Sequence, residues 1–221
     1  MIGRFADRAA AGRALAAQLL QWKGRDDVLV LALPRGGVPV AVEVARMLAA
    51  PLDLLMVSKI GVPGQPEVAL AALVDGEQAD LVIDERLQPY VARWAAYLEQ
   101  QKALALREIE RRRGVYLAGR PAVPLKGRTV IVVDDGIATG TTVRAALRAL
   151  RRRELARLVL AVPVAPSDVV ARLRHEVDDL LCLDEPSPFQ AVGLHYADFH
   201  PVDDGEVLAA LASLGRVDGL S

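Results

Sequence analysis

Segments dominated by apolar residues alternate along this chain with segments in which apolar residues recur every three or four positions. The first kind is short and is typical of strands buried on both faces of a sheet. These predicted strands lie at 28–33, 52–57, 129–133, 157–162 and 179–183. Predicted helices lie at 6–22, 38–49, 141–153, 167–175 and 204–214. Strands separated by helices predict an α/β fold built on a doubly wound parallel sheet with right-handed crossovers.

Two stretches depart from this alternation. Residues 58–67 (SKIGVPGQPE) are rich in glycine and proline, which predicts a loop, and Asp75-Gly76 suggests a hairpin turn between two short apolar runs. From 84 to about 116 the chain is polar, which predicts a long helical insertion that is either a lid across the sheet or a dimer contact. We therefore expect an α/β core with this insertion at 1–183, and a small C-terminal hood segment with a closing helix at 184–221.

Composition narrows the class of protein. The 221 residues carry 27 Lys+Arg against 28 Asp+Glu and are 52% hydrophobic, which excludes a disordered chain and a strongly basic nucleic-acid binder. A single cysteine, Cys182, excludes a disulfide scaffold. No apolar run approaches the roughly 18 residues that a membrane span needs, and the start of the chain lacks the apolar segment of a secretory signal. We expect a cytoplasmic protein with no membrane partner.

The most informative segment is the turn after strand 129–133, Val132-Val133-Asp134-Asp135-Gly136-Ile137-Ala138-Thr139-Gly140-Thr141-Thr142. Ligands of parallel sheets bind beyond the carboxyl ends of the strands. The two glycines permit close backbone approach, and the three threonines offer hydroxyls. The N-terminus of the following helix adds free N–H groups and a partial positive charge. Together these features predict a phosphate site that needs no Lys or Arg.

Asp134 and Asp135 directly precede this phosphate site, where further negative charge is costly. Their expected role is therefore to accept hydrogen bonds from sugar hydroxyls, or to hold a Mg²⁺ ion that offsets the charge of the ligand. A phosphate on the helix end and a diol on the carboxylates together describe a ribose 5-phosphate. The alternative is an ordinary strand-to-helix turn with an acidic capping residue.

Residues 131–142 resemble the signature with which type I phosphoribosyltransferases bind phosphoribosyl diphosphate (PRPP): an apolar strand, two acids and a Thr/Gly-rich loop. The resemblance implies that Asp134 and Asp135 bind the ribose hydroxyls and that Ala138 to Thr142 enclose the 5-phosphate. It spans roughly residues 28–165. The whole chain is similar to a group of stand-alone bacterial proteins assigned to this family by sequence, which share a LALPRGGVPVA segment and a VGL-aromatic segment.

In that family the loop after the first core strand holds pyrophosphate, often through a strained or cis non-proline peptide. The resemblance assigns this role to Pro34, Arg35, Gly36 and Gly37, with the unusual peptide expected at Arg35–Gly36 or close to it. The guanidinium of Arg35 supplies donors that suit phosphate. The alternative is a tight glycine turn with an arginine on the surface.

The family also has a flexible loop that closes over the reacting centre, and its place in the chain corresponds to residues 58–67. Lys59 would then touch the pyrophosphate; the alternative is a solvated lysine. The aromatic segment 189–200 could form a hood in which Phe189 or Tyr196 stacks on a flat acceptor ring. The alternative is that these aromatic residues simply anchor the C-terminal segment to the core.

The family reaction transfers ribose 5-phosphate from PRPP to a nitrogen acceptor, such as a nucleobase, and releases pyrophosphate. Asp134, Asp135 and Arg35 would be its catalytic residues, with Mg²⁺ as cofactor, and the acceptor is left open. Two other interpretations remain: a PRPP-binding regulator without transferase activity, and a scaffolding protein that uses the insertion as an interface. A homodimer is compatible with all three. The arginine clusters at 111–113 and 151–153 are interpreted as solvated helix ends, so no nucleic-acid partner is expected.

Overall fold

The computed structural model describes residues 5–76, 79–84, 86–117 and 123–215. Its α-helices are α1 (Arg8–Ala17), α2 (Gly37–Leu48), α3 (Ala95–Leu117), α4 (Thr141–Arg151), α5 (Ser167–Leu173) and α6 (Asp204–Gly215). Its strands are β1 (Val28–Ala32), β2 (Leu52–Leu54), β3 (Val57–Val62), β4 (Gln65–Val74), β5 (Asp80–Ile83), β6 (Thr129–Val133), β7 (Arg157–Val164) and β8 (Asp179–Asp184). Within the described residues no helix has both the length and the hydropathy to cross a membrane.

The main sheet has five strands in the order β2-β1-β6-β7-β8, and every pair in it is parallel. All residues of β1 and β6 are buried, because helices cover both faces. Val30 and Ile131 belong to a core cluster with residues of α1 and α2, whereas Leu31 and Val132 belong to a second cluster with residues of α4 and α5. This division follows from the alternation of side chains along a strand. The predicted doubly wound parallel α/β fold is confirmed.

The strand order reverses at β1. This strand pairs with β2 on one side and with β6 on the other, although the chain runs from β1 to β2 first. The loops that follow β1 and β6 therefore diverge to opposite faces and leave a crevice between them. Open α/β sheets bind their ligands at such a switch point.

The predicted loop at 58–67 is wrong. Most of these residues lie in strands β3 and β4, which form an antiparallel hairpin, and β5 completes a small three-stranded sheet. The glycine and proline residues mark a tight turn at Pro63-Gly64, where Gly64 takes a φ of +76°. The predicted strand 52–57 is divided between the two sheets. Strand β2 of the main sheet ends at Leu54, and Val57 begins β3 of the small sheet. The turn after Asp75-Gly76 lies partly outside the described residues.

The insertion is helical over less of its length than predicted. Gln88–Trp94 is a 3₁₀ segment with proline in its first turn, and the α-helix begins only at Ala95. Leu98 packs on the small sheet, and Ile109 reaches the core beneath α2, so α3 bridges the two sheets.

The outer face of α3 does not form a continuous apolar stripe. Its exposed large apolar residues are Leu104 and Val115, and an ion pair between Glu108 and Arg111 lies between them. This arrangement gives no support to the scaffolding interpretation.

The first described residues pair with the C-terminal segment. Phe5 forms a parallel bridge with Tyr196, and its N–H donates to the carbonyl of His195 at 3.0 Å. Phe5 and Tyr196 are buried together, with Phe189 and Phe199 packed against them. The C-terminal hood is therefore held to the main sheet partly by residues at the other end of the described chain.

Candidate active site

Two loops leave the main sheet side by side at the switch point. Ala32 at the end of β1 pairs with Val133 at the end of β6. The N–H of Leu33 then donates to the carbonyl of Val133 at 3.0 Å, which extends this pairing by one residue. The loop at 33–36 and the loop at 134–140 consequently line the same crevice.

The loop at 33–36 needs glycine because the acidic residues of the neighbouring loop lie against its backbone. A Cβ atom on Gly36 would lie 2.1 Å from Oδ2 of Asp135. A Cβ atom on Gly37, the first residue of α2, would lie 2.8 Å from the carbonyl oxygen of Val133. The structure therefore brings the predicted pyrophosphate loop into contact with the predicted ribose-binding acids.

Arg35 extends from this loop toward the N-terminus of α6. The peptide bond between Pro34 and Arg35 is cis, one bond before Arg35–Gly36, and so lies within the region that the sequence indicated. Nη1 of Arg35 lies 3.6 Å from Oδ1 of Asp204, which also accepts a hydrogen bond from the hydroxyl of Tyr116 at 2.5 Å. The bond from Tyr116 and the charge of Arg35 lower the pKa of Asp204. An anion that binds Arg35 must therefore compete with this carboxylate.

Asp134 and Asp135 are two partly buried carboxylates on consecutive residues. The N–H of Asp135 donates to Oδ1 of Asp134 at 2.9 Å, and both carboxylates lie against the glycines of the neighbouring loop, Asp135 at Gly36 and Asp134 at Gly37. Burial, together with the charge of Asp135, raises the pKa of Asp134 well above its usual range. Burial also raises the pKa of Asp135, against the opposing effect of a guanidinium. Perturbed carboxylates in a ligand crevice are a mark of functional sites.

That guanidinium belongs to Arg8, a residue that the sequence analysis did not select. Its Nε lies 2.8 Å from Oδ2 of Asp135. The residues are 127 positions apart in the chain. Nothing in the spacing links Arg8 to the loop after β6, and only the packing of α1 beside the sheet brings the two together.

The turn after Asp135 has the form expected of a phosphate site. Gly140 is the N-cap of α4 and takes a φ of +77°, which favours glycine. Oγ1 of Thr139 and Oγ1 of Thr141 lie 3.4 Å apart and are exposed, as are Ala138 and Thr142. Exposed hydroxyls beside the first N–H groups of an 11-residue helix suit a phosphate. Gly136 closes the turn on the other side, where its backbone lies against Val192.

A cavity with a volume of about 390 Å³ opens beside this turn. Ala138 and Thr139 form one wall, and Ser167 at the start of α5 lies on a second. Phe189 of the hood forms part of a third wall. The ring of Phe189 is stacked on that of His195 with centroids 5.6 Å apart, so one face of Phe189 is already occupied. The cavity is a suitable size for a small flat ring next to the turn from Ala138 to Thr142, which we name the phosphate turn after its predicted ligand.

Tyr196, the other predicted stacking residue, takes a different position. Its ring is 5% exposed and lies between Phe5 and Phe199, at centroid distances of 5.5 and 4.9 Å. Its hydroxyl donates to the carbonyl oxygen of Asp135 at 2.5 Å. Burial raises the pKa of this hydroxyl, which therefore stays protonated as a donor. In this position Tyr196 supports the backbone of the acidic pair and does not present a free ring face.

Lys59 lies on β3 of the small sheet, with an exposed side chain. It is therefore carried by a strand and not by the predicted loop. The small sheet packs on α3 and α4. A contact between Lys59 and pyrophosphate remains a prediction.

This chain is similar to known proteins over most of its length. The family model for the phosphoribosyl transferase domain matches residues 2–198. Two curated proteins of Mycobacterium tuberculosis, provisionally named as phosphoribosyl transferases, are 45% identical over 207 residues, which is 94% of this chain and 46% of each relative. This chain therefore spans about half the length of the curated relatives it matches.

A solved structure is also similar over nearly the whole chain. The crystal structure of TT1426 from Thermus thermophilus is 42% identical, with a TM-score of 0.78, and the match covers 96% of this chain and 99% of that one. The family match includes both loops of the crevice, the acidic pair and the C-terminal segment as far as residue 198. This chain belongs to the phosphoribosyl transferase domain family, as the motif at 131–142 predicted.

Proposed function

We propose that this protein transfers ribose 5-phosphate from PRPP to a nitrogen acceptor, a nucleobase or a similar ring, with release of pyrophosphate. The observation that carries the proposal is the contact between the loop at 33–36 and the acidic pair, next to the phosphate turn. A sugar that carries a phosphate at one end and a pyrophosphate at the other would contact all three parts at once. Membership of the phosphoribosyl transferase domain family supports this chemistry.

Each part has a distinct task in the proposed reaction. The turn from Ala138 to Thr142 binds the 5-phosphate, and the carboxylates of Asp134 and Asp135 accept hydrogen bonds from the ribose hydroxyls. Positive charge develops on the ribose as the bond to pyrophosphate breaks, and two carboxylates beside the ring stabilise it. Arg35 and the N–H groups of the glycine loop bind the leaving pyrophosphate. The protein forms no covalent bond, so alignment of the two reactants carries much of the rate.

The donors at the site fit Mg²⁺ bound together with PRPP. The site offers the carboxylates of Asp134 and Asp135, and the described residues contain no group of three or more His, Cys, Asp and Glu side chains that could hold a metal by themselves. One or two carboxylates completed by substrate oxygens are a usual environment for Mg²⁺. Neutralisation of charge on the pyrophosphate is the chemistry that the ion supplies when bound.

The direct test is the release of pyrophosphate from PRPP in the presence of Mg²⁺, measured across a panel of nucleobases and amines. We expect release of pyrophosphate with at least one acceptor. The reverse reaction, from ribosylated product and pyrophosphate to free acceptor and PRPP, should also be measurable. Binding of PRPP without release for any acceptor would instead favour a regulatory protein. Absence of PRPP binding would reject both functions.

Replacement of Arg35 by alanine should raise the KM for PRPP by about ten- to a hundredfold, which is the usual loss for one charge-assisted contact. The reason is that the pyrophosphate loses its only arginine partner in the loop at 33–36. Steady-state kinetics with varied PRPP measure the effect. Arg46→Ala is the matched control, because Arg46 lies on α2 beyond this loop and pairs with Glu43. An unchanged KM in Arg35→Ala would remove Arg35 from the site.

Replacement of Phe189 by leucine should lower kcat/KM for the acceptor about tenfold and leave the KM for PRPP nearly unchanged. Leucine keeps an apolar wall in the cavity but removes the ring on which a flat acceptor stacks. Initial rates at varied acceptor and saturating PRPP give the comparison. Equal losses for both substrates would indicate that Phe189 only holds the hood in place.

A further inference from the structure

The side chain of Arg8 is buried beside the acidic pair. It is 9% exposed, and its Nε lies 2.8 Å from Oδ2 of Asp135, whose side chain is 14% exposed. An arginine is rarely buried to this extent without a fixed partner. The ion pair therefore belongs to the interior of the crevice and differs from the many exposed pairs on this protein.

Two further contacts fix the direction of the guanidinium. Nη1 of Arg8 donates to the carbonyl oxygen of His200 at 2.8 Å. The carbon at the centre of the guanidinium lies 3.9 Å from the centre of the ring of Phe199. Arg8 is thus held by the hood on two sides and presents its Nε edge to Asp135. A guanidinium held in this way restrains the carboxylate oxygen that its Nε–H binds.

The surroundings of Asp135 explain why a cation is needed there. Asp134 is the next residue, and the Asp135 carboxylate is pressed against the backbone of Gly36. Tyr196 donates to the backbone of Asp135 but offers no charge. Two neighbouring carboxylates repel each other in a cleft, and they also repel a substrate that carries several phosphoryl charges. A cation bound to the Asp135 carboxylate offsets both effects.

We propose that Arg8 is a positioning residue of the active site, which neutralises one charge of the acidic pair and holds the Asp135 carboxylate toward the ribose hydroxyls. The proposal rests on the proposed function, because it assigns the ribose to Asp135. The proposal extends that function by adding a residue of α1 to the site. A purely structural role, in which Arg8 only ties α1 to the hood, is the competing explanation.

The positioning role and the purely structural role predict different effects on the binding of the two halves of PRPP. Ribose 5-phosphate binds through the acidic pair and the phosphate turn, whereas pyrophosphate, titrated without Mg²⁺, binds through the loop at 33–36. We expect Arg8→Met to weaken the binding of ribose 5-phosphate by about ten- to a hundredfold, the range for one charge-assisted hydrogen bond, and to change pyrophosphate binding less than about threefold. Isothermal titration calorimetry with each probe measures both affinities.

Two other variants complete the design. Arg13→Met is the matched control, because Arg13 lies on the same helix with an exposed side chain, 3.9 Å from Glu43, and we expect both affinities to stay unchanged. Arg8→Lys keeps the positive charge but loses the planar guanidinium group. Its affinity for ribose 5-phosphate should therefore lie between those of the wild type and Arg8→Met. If Arg8→Met does not fold, Arg8→Lys alone decides.

A double-mutant cycle gives a second readout. In an Asp135→Asn background the carboxylate that Arg8 positions is already absent, so Arg8→Met should cost little further affinity for ribose 5-phosphate. Three results would each overturn the proposal for Arg8 and leave the proposed function standing. They are losses of affinity that add in the double variant, equal weakening of ribose 5-phosphate and pyrophosphate binding, and unchanged binding of ribose 5-phosphate in both Arg8→Met and Arg8→Lys. Failure of the wild type to bind ribose 5-phosphate would overturn the proposed function, and this inference with it.

Discussion

Replacing both Asp134 and Asp135 with asparagine should reduce PRPP-dependent release of pyrophosphate by about a thousandfold or more. The amides keep the shape of the side chains but remove the negative charge that stabilises the developing positive charge on the ribose. A continuous assay of pyrophosphate at saturating PRPP measures the loss. A folded double variant that retains full turnover would refute the assignment of the acidic pair.

The same substitutions should have different effects on stability when made singly. Burial and the neighbouring charge raise the pKa of Asp134, so its ionised form disfavours the folded state at neutral pH. Asp134→Asn should therefore not lower the thermal midpoint, particularly since an amide oxygen can still accept the bond from the N–H of Asp135. Burial raises the pKa of Asp135 as well, but Asp135→Asn leaves the buried guanidinium of Arg8 without its carboxylate and should cost about 1–3 kcal/mol. Circular dichroism melts of the two single variants check this order.

Replacing Gly36 with alanine should cause the second large loss, of about a hundredfold or more in kcat/KM for PRPP. The new Cβ atom would lie 2.1 Å from Oδ2 of Asp135, well inside van der Waals contact. The carboxylate cannot rotate away cheaply, because Arg8 holds the same oxygen. Either the acidic side chain or the loop at 33–36 must therefore move, and small displacements at a reacting centre are costly.

Gly114→Ala is the matched control for this substitution. Gly114 lies in α3, and a Cβ atom there would meet nothing within 4 Å. We expect unchanged kinetics and a stability gain of up to about 1 kcal/mol, because alanine favours helix. If Gly36→Ala kept wild-type kinetics, the contact between the two loops would not matter for the reaction. The contact between Gly36 and Asp135 would then no longer support the proposed function.

The part of the site that could be predicted from the sequence lies in two continuous segments. The acids, glycines and threonines of 134–142 follow one buried strand, and Pro34 to Gly37 follow another, so local order alone placed both at the carboxyl edge of a sheet. The small sheet was harder to predict. A glycine and proline cluster is typical of a loop, but a single left-handed residue, Gly64, is enough to turn one strand into the next.

Contacts between distant segments could not be predicted in this way. Arg8 resembles any other arginine of an amphipathic helix, and Tyr196 resembles any aromatic residue of a hood. Their positions depend on how α1 and residues 189–200 pack together around the acidic pair. The ion pair of Arg35 with Asp204 is of the same kind, because α6 returns to the crevice from the end of the chain.

Local patterns along the chain were enough to predict the α/β class, the two loops of the crevice and the family, because apolar periodicity and the chemistry of a strand-to-helix turn are properties of short segments. The folded chain was needed to see that the two loops touch at Gly36 and Asp135. It was also needed to see that Arg8 pairs with Asp135 and that the Tyr196 hydroxyl binds the Asp135 backbone. These features arise from packing between segments that lie far apart in the chain, and no local pattern encodes which side chains will meet.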